Sequence, residues 1–301
     1  MNFEFFVNLL FSGLTRGSIY ALLALGYTMV YGIIKLINFA HGEVYMIGAF
    51  STLIMVSILT ILNLPILAVA GIAATVAIVW SAGYGYTLDK IAYKPVREAP
   101  RLSALISAIG MSLFLQNYVR LAQTSDFLPF PRFLPTVRFL DSYDGLSSSQ
   151  FIIFVTTSVV MVILTIFIKF TRVGKSMRAA AQDRMMATLT GVNVNKTISV
   201  TFLIGSVTAA IGGILISAHI GQINFYIGFL AGIKAFVAAV LGGIGSIPGA
   251  VLGSFVLGLT ESFGAGYISS DYEDVFAFII LVLILIFRPS GILGKSAAQK
   301  V

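Results

Sequence analysis

The sequence predicts an all-α polytopic membrane protein of about eight to ten transmembrane helices, some of them short or broken. Three observations predict this class. Of 301 residues, 58% are hydrophobic and 10% charged, whereas a soluble domain carries about 25% charged residues. The apolar residues gather in repeated runs of roughly 20, the length that crosses a bilayer hydrocarbon core. The strict two-residue alternation of an outer-membrane barrel strand is absent. The whole chain, 1–301, reads as a single membrane domain. It has no cysteine, so disulfides and thiolate metal sites are excluded.

The apolar segments lie at 5–36, 44–62, 65–88, 102–122, 151–169, 197–220, 229–241, 249–265 and 275–288. The first follows Met1–Phe6, which has neither a basic stretch nor a cleavage site, so it reads as a span rather than a removable signal. Thirteen of the 19 Lys and Arg residues fall in three places. Lys90, Lys94, Arg97 and Arg101 form one group. Lys169, Arg172, Lys175, Arg178, Arg184 and Lys196 form the second. Arg288, Lys295 and Lys300 form the third. The positive-inside rule assigns all three to the cytoplasm. The loop 124–149, with Asp126, Asp141 and Asp144, and the acidic run Asp271, Glu273 and Asp274 then face outward.

The spans alternate correctly only if 229–265 crosses twice. That stretch is short for two full spans, and Leu241–Ala250 holds Pro248 and several glycines at its turn. The expectation is a pair of short helices, joined either by a break buried in protein or by an ordinary tight cytoplasmic turn. Ile37-Asn38-Phe39 and Ile223-Asn224-Phe225 repeat a triplet at positions with opposite predicted sidedness, which points to an inverted repeat.

Thr171–Lys196 is the stretch least suited to a membrane. It has five basic side chains against one acid, Asp183. Met177, Ala181, Met185 and Leu189 recur every fourth residue and form one apolar stripe, and Gly191 and Asn193 supply stop signals. The pattern predicts an amphipathic helix over 176–190 that docks a soluble partner, or that lies on the anionic lipid surface. Gly174-Lys175-Ser176 imitates the end of a phosphate-binding loop, but Lys169 stands where its first glycine belongs. The chain is therefore read as a non-catalytic subunit.

Polar groups inside apolar segments are costly and are functional candidates. His41 and Glu43 sit in the Asn38–Glu43 break and either line a pathway or cap a helix start. His219 reads as interfacial. Lys234 either meets a substrate carboxylate or snorkels, and it can pair with Glu261 if their helices pack together. Gln116 and Asn117 suit hydrogen bonds between helices. Gly13/Gly17, Gly228/Gly232 and Gly249/Gly253 have the spacing of close helix contacts.

Ile37–Glu43 (INFAHGE), Lys94–Asn117, the segment Gly174–Lys196 and Leu241–Ser254 appear in an order that resembles the LivH-type permease subunit of bacterial high-affinity branched-chain amino acid importers of the ATP-binding-cassette class. The resemblance runs through nearly the whole chain. It implies a second, LivM-type permease, two cytoplasmic ATPases that hold ATP and magnesium, and a periplasmic binding protein that delivers leucine, isoleucine or valine. It also implies the inner membrane, with a cytoplasmic C-terminus. No metal, resident cofactor or nucleic-acid partner is expected. The segment 171–196 matches the coupling segment, so Met177, Arg178, Ala181, Asp183, Arg184, Met185, Leu189 and Gly191 become candidates for ATPase coupling. Arg178 before Ala179-Ala180-Ala181 departs from the usual Glu-Ala-Ala-then-Gly pattern. A path for a zwitterion needs a few polar groups, and Asn38, His41, Asn224 and Lys234 are the candidates. A permease of the same class for urea or short amides is the alternative substrate reading, and an ion-coupled transporter and a passive channel are the alternative functions; the coupling segment favours the ATP-binding-cassette importer over the last two.

Overall fold

In the computed structural model, residues 3–131, 133–135 and 146–294 are described. Asp141, Asp144, Lys295 and Lys300 lie outside the described residues. Eleven α-helices account for almost all of the described structure: α1 Phe3–Ile34, α2 His41–Ile61, α3 Ile66–Leu88, α4 Arg101–Ala122, α5 Ser148–Phe170, α6 Arg172–Gln182, α7 Arg184–Leu189, α8 Val194–Ile220, α9 Ile227–Gly242, α10 Ile247–Tyr267 and α11 Glu273–Phe287. Seven of these are long and apolar enough to cross a membrane: α1 to α5, α8 and α10. At 16 and 15 residues, α9 and α11 are shorter.

Local chemistry sets most boundaries. Ser147 and Gln150 form a reciprocal capping box at the start of α5. Asn193 accepts the Lys196 amide to start α8, and Gly221, at φ +79°, ends it. The α3 helix runs on through a π turn, Asp89–Tyr93, and a 3-10 turn, Lys94–Val96. Two short strands, β1 Leu128–Pro129 and β2 Gln222–Ile223, pair antiparallel and pin the loop after α4 to the end of α8.

The stretch 229–265 forms two helices, as the charge pattern required, but α10 is a full 21 residues rather than short. Their connection is a tight turn. Gly243 and Gly245 have positive φ, and Ser246 caps α10 through the Gly249 amide. Gly245 lies beside Met177 and Arg178 at one end of the bundle, and Ile292 and Leu293 donate to the last carbonyls of α9. The tight-turn expectation is therefore the one met. This basic end of the bundle also carries Arg97, α6 and α7.

The interruptions inside the bundle lie elsewhere, at 35–40 and 221–226. Ile34 and Ile220 end helices, His41 and Ile227 begin them, and the two Ile-Asn-Phe triplets fall between; each pair is 186 positions apart. The pairs run antiparallel. Gly26 meets Gly205 and Leu23 meets Gly212, so α1 opposes α8; Gly42 meets Gly232 and Met46 meets Gly228, so α2 opposes α9. The inverted repeat read from three residues is thus carried by helix boundaries and packing.

Glycine lets these helices approach. Gly13 and Gly17 lie against Leu259 and Phe255 of α10, and Gly253 lies against Ala238 of α9. Leu22, Leu23 and Leu25 on α1 are fully buried at the centre. The outer faces of α3, α4, α5 and α11 expose Trp80, Leu113, Ile163 and Ile279. A continuous apolar surface of this kind is covered by lipid or by another membrane helix.

Candidate functional site

At the end of the bundle opposite the basic one, α1, α8, α9 and the start of α11 enclose a cavity of about 440 Å³, within the ~300–1,000 Å³ range of small-ligand sites. Phe127, next to the β1–β2 pairing, also lines it. Its walls are mostly apolar, aliphatic and aromatic together, and its charged groups come from separate helices. Arg16 Nη1 is 2.5 Å from Glu273 Oε1. Lys234 Nζ is 3.0 Å from Glu273 Oε1, 2.8 Å from Asp274 Oδ1 and 3.4 Å from Glu261 Oε1. Glu261 is fully buried and accepts the Tyr20 hydroxyl at 2.7 Å. Two cations thus sit among three carboxylates, one of them cut off from solvent. A carboxylate so buried is sustained only by close partners.

The Lys234–Glu261 pairing was anticipated from sequence; the part played by Arg16, Tyr20 and Glu273 was not. Arg16 did leave a signal, being a lone cation inside a 32-residue apolar helix. Asn224 also lines the cavity, with its Oδ1 accepting the Tyr226 amide. His219 lines it too, with Nδ1 2.8 Å from Ser149 Oγ.

The other two pathway candidates lie apart from this cavity, at the start of α2. Asn38 and His41 are each 2% exposed. The Tyr93 hydroxyl donates to Asn38 Oδ1 at 2.9 Å, and the His41 ring packs edge-on to Tyr27 at 4.9 Å. Glu43, in the first turn of α2, is fully buried, and its Oε1 accepts from Ser112 and Gln116 of α4, both at 2.8 Å. Gln116 thus makes the interhelical bond expected of it, whereas Asn117 donates to Leu113 O within its own helix. A carboxylate in a first helical turn also meets the positive end of the helix dipole.

At the basic end the predicted single helix over 176–190 is corrected: it is two helices, α6 and α7, broken at Asp183. Asp183 adopts an extended conformation, and its Oδ1 accepts the Met186 amide at 3.0 Å, so it caps α7 instead of continuing α6. The break splits the predicted stripe. Met177 is buried and Ala181 half-buried, while Met185 and Leu189 are 75% and 72% exposed. The two arginines also bond back to this chain's own helices. Arg178 donates to the carbonyls of Ile168 and Lys169 at the end of α5. Arg184 Nε donates to Ile33 O at the end of α1, at 2.7 Å. Burial, with Arg97 nearby, lowers the Arg184 pKa. Gly191 turns the chain at φ +87°. Beside them Arg97 pairs with the buried Asp89, which also accepts the Ser199 hydroxyl at 2.6 Å, and Arg97 reaches Asn195 Oδ1 at 2.6 Å.

Residues 9–285 match the family model described as branched-chain amino acid transport system / permease component. Over 99% of both chains the sequence is 46% identical to the high-affinity branched-chain amino acid transport system permease protein LivH of Escherichia coli K12. It is 46% identical to LivH of Salmonella typhimurium over the same shares. It is 50% identical to the permease protein BraD of Pseudomonas aeruginosa over 97% of both chains.

Proposed function

Because the chain belongs to the family of branched-chain amino acid transport permeases, we propose that it forms, with a second permease, the membrane path by which an ATP-binding-cassette importer admits leucine, isoleucine or valine. The observation that carries this reading is the 46–50% identity, over nearly the full chain, to permeases that bear that name. The cavity agrees with it, since apolar walls and paired charges suit a small amino acid.

On this reading the basic end faces the cytoplasm, by the positive-inside rule, and the cavity faces the side from which a binding protein delivers substrate. The C-terminus then lies in the cytoplasm of a bacterial inner membrane. Met185 and Leu189, exposed on α7, enter a groove on a partner ATPase. Met177, Arg178, Ala181, Asp183, Arg184 and Gly191 hold the corner in shape behind them. ATP and magnesium belong to the ATPase subunits, and this chain contributes the path alone.

Co-expression with the second permease, the ATPases and the binding protein, followed by reconstitution, tests the reading. ATP-dependent uptake of labelled leucine is expected. Uptake of urea without leucine would overturn the substrate and leave the importer assignment standing. Leucine uptake driven by an ion gradient without ATP would overturn the importer assignment.

A further inference from the structure

We propose that the Arg16–Glu273 ion pair is a reading site for a zwitterion: the pair opens to take an α-carboxylate on Arg16 and an α-ammonium on Glu273. The inference rests on the reading of the chain as an amino acid permease and names the groups that would recognise the substrate inside it.

The pair faces open space. Arg16 and Glu273 both line the cavity, and their side chains are 34% and 24% exposed. Among the described residues, the fully charged side chains in its wall are these two and Lys234. Lys234 also pairs with Glu261 and Asp274, neither of which lines the cavity. Drawing Glu273 toward a ligand therefore leaves Lys234 with two carboxylate partners. Arg16 retains only Glu261, at 4.0 Å. It is the cation that loses its close partner when the pair opens, and its planar fork suits a carboxylate held by two parallel hydrogen bonds.

Charge compensation then selects the ligand class. Separating a partly buried ion pair is unfavourable unless each half finds a new partner. A zwitterion supplies both partners at once. A monocarboxylate would satisfy Arg16 but leave Glu273 with Lys234 alone, and a monoamine would satisfy Glu273 but leave Arg16 with Glu261 at 4.0 Å. Urea brings dipoles but no charge. Ile19, Ile216, Ile220 and Leu230 give the remaining wall its aliphatic character, where a branched side chain is removed from water.

The test uses the permease–ATPase complex purified without its binding protein and titrated with leucine, α-ketoisocaproate and isoamylamine. These share the isobutyl group and differ in charge, and binding is read by saturation-transfer NMR. Leucine is expected to bind at least about tenfold tighter than either analogue. In Glu273→Gln, leucine should weaken by about tenfold while α-ketoisocaproate does not, because Arg16 is released to a lone carboxylate. A role confined to structure would move both ligands together. Equal binding of the three compounds by the wild type, absent leucine binding, or an unchanged leucine affinity in Glu273→Gln overturns the proposal. If that variant fails to assemble, the wild-type comparison decides alone. ATP-driven leucine uptake by the wild-type complex with its binding protein is measured in parallel. Uptake with a silent cavity sinks the zwitterion site only, whereas no uptake of any branched-chain amino acid sinks the functional reading.

Discussion

Gly42 and Gly228 oppose each other so closely that a Cβ on either would strike the carbonyl oxygen of the other. They are also 186 positions apart, the spacing of the inverted repeat, so each residue faces its own counterpart. A Cβ at Gly228 would further lie 2.8 Å from Glu43 Oε2. The contact is backbone on backbone and has no flexible side chain to yield. Gly42→Ala and Gly228→Ala are each expected to destabilise the bundle by about 1–3 kcal/mol, the usual cost of overpacking. Fluorescence-detected thermal unfolding in detergent would show a lower midpoint for both. Two wild-type midpoints would mean that α2 and α9 do not meet there.

The buried pair at the basic end makes a sharper prediction. Asp89 is fully buried and the Arg97 side chain is 8% exposed. Asp89→Ala leaves that guanidinium without its carboxylate and removes one of the two acceptors of the Ser199 hydroxyl. Removing one partner of a buried ion pair typically costs about 3–5 kcal/mol. The yield of folded protein should fall severely, and the double variant Asp89→Ala/Arg97→Met should recover part of it. A double variant no better than the single one would show that stranded charge is not the cause.

Arg184 is expected to act on folding before it acts on coupling. Arg184→Glu removes the donor to Ile33 O and places an anion at the negative end of the α1 dipole. A cost of about 1–3 kcal/mol follows from the unsatisfied carbonyl and the repulsion. Hydrogen exchange at the last turn of α1 should accelerate, and Arg184→Lys should restore part of the protection. Protection equal to wild type in Arg184→Glu would count against the contact.

The exposed residues of the same corner behave differently on the proposed reading. Met185→Glu/Leu189→Glu alters side chains that are 75% and 72% exposed, so stability should stay within about 0.5 kcal/mol of wild type. Leucine uptake per ATP hydrolysed should drop sharply, since two apolar anchors of a docking surface are lost. Wild-type coupling in that variant would remove α7 from the interface.

Much of the architecture was legible because membrane burial writes itself plainly. Apolar run lengths located the spans, charge clusters located the basic end, and paired glycines located the close contacts of α1 with α10 and of α2 with α9. The site was legible only in part. Lys234 and Glu261 stood out as charges within apolar segments, but Glu273 read as one acid in an outward loop. Nothing local says that it meets Arg16 from far along the chain. Asp183 was misread for a different reason. A stripe of period four argued for one continuous helix, while an aspartate able to cap the next turn argued for two, and the cap won.

The length of α1 carries a mechanical consequence. The same unbroken rod presents Arg16 to the cavity and the Ile33 carbonyl to Arg184 at the opposite end. Those residues are about 26 Å apart along the axis at 1.5 Å per residue. The helix is continuous between its two grips. On the proposed reading, a push or pull delivered at the α6–α7 corner has one continuous helix through which to reach the Arg16–Glu273 pair.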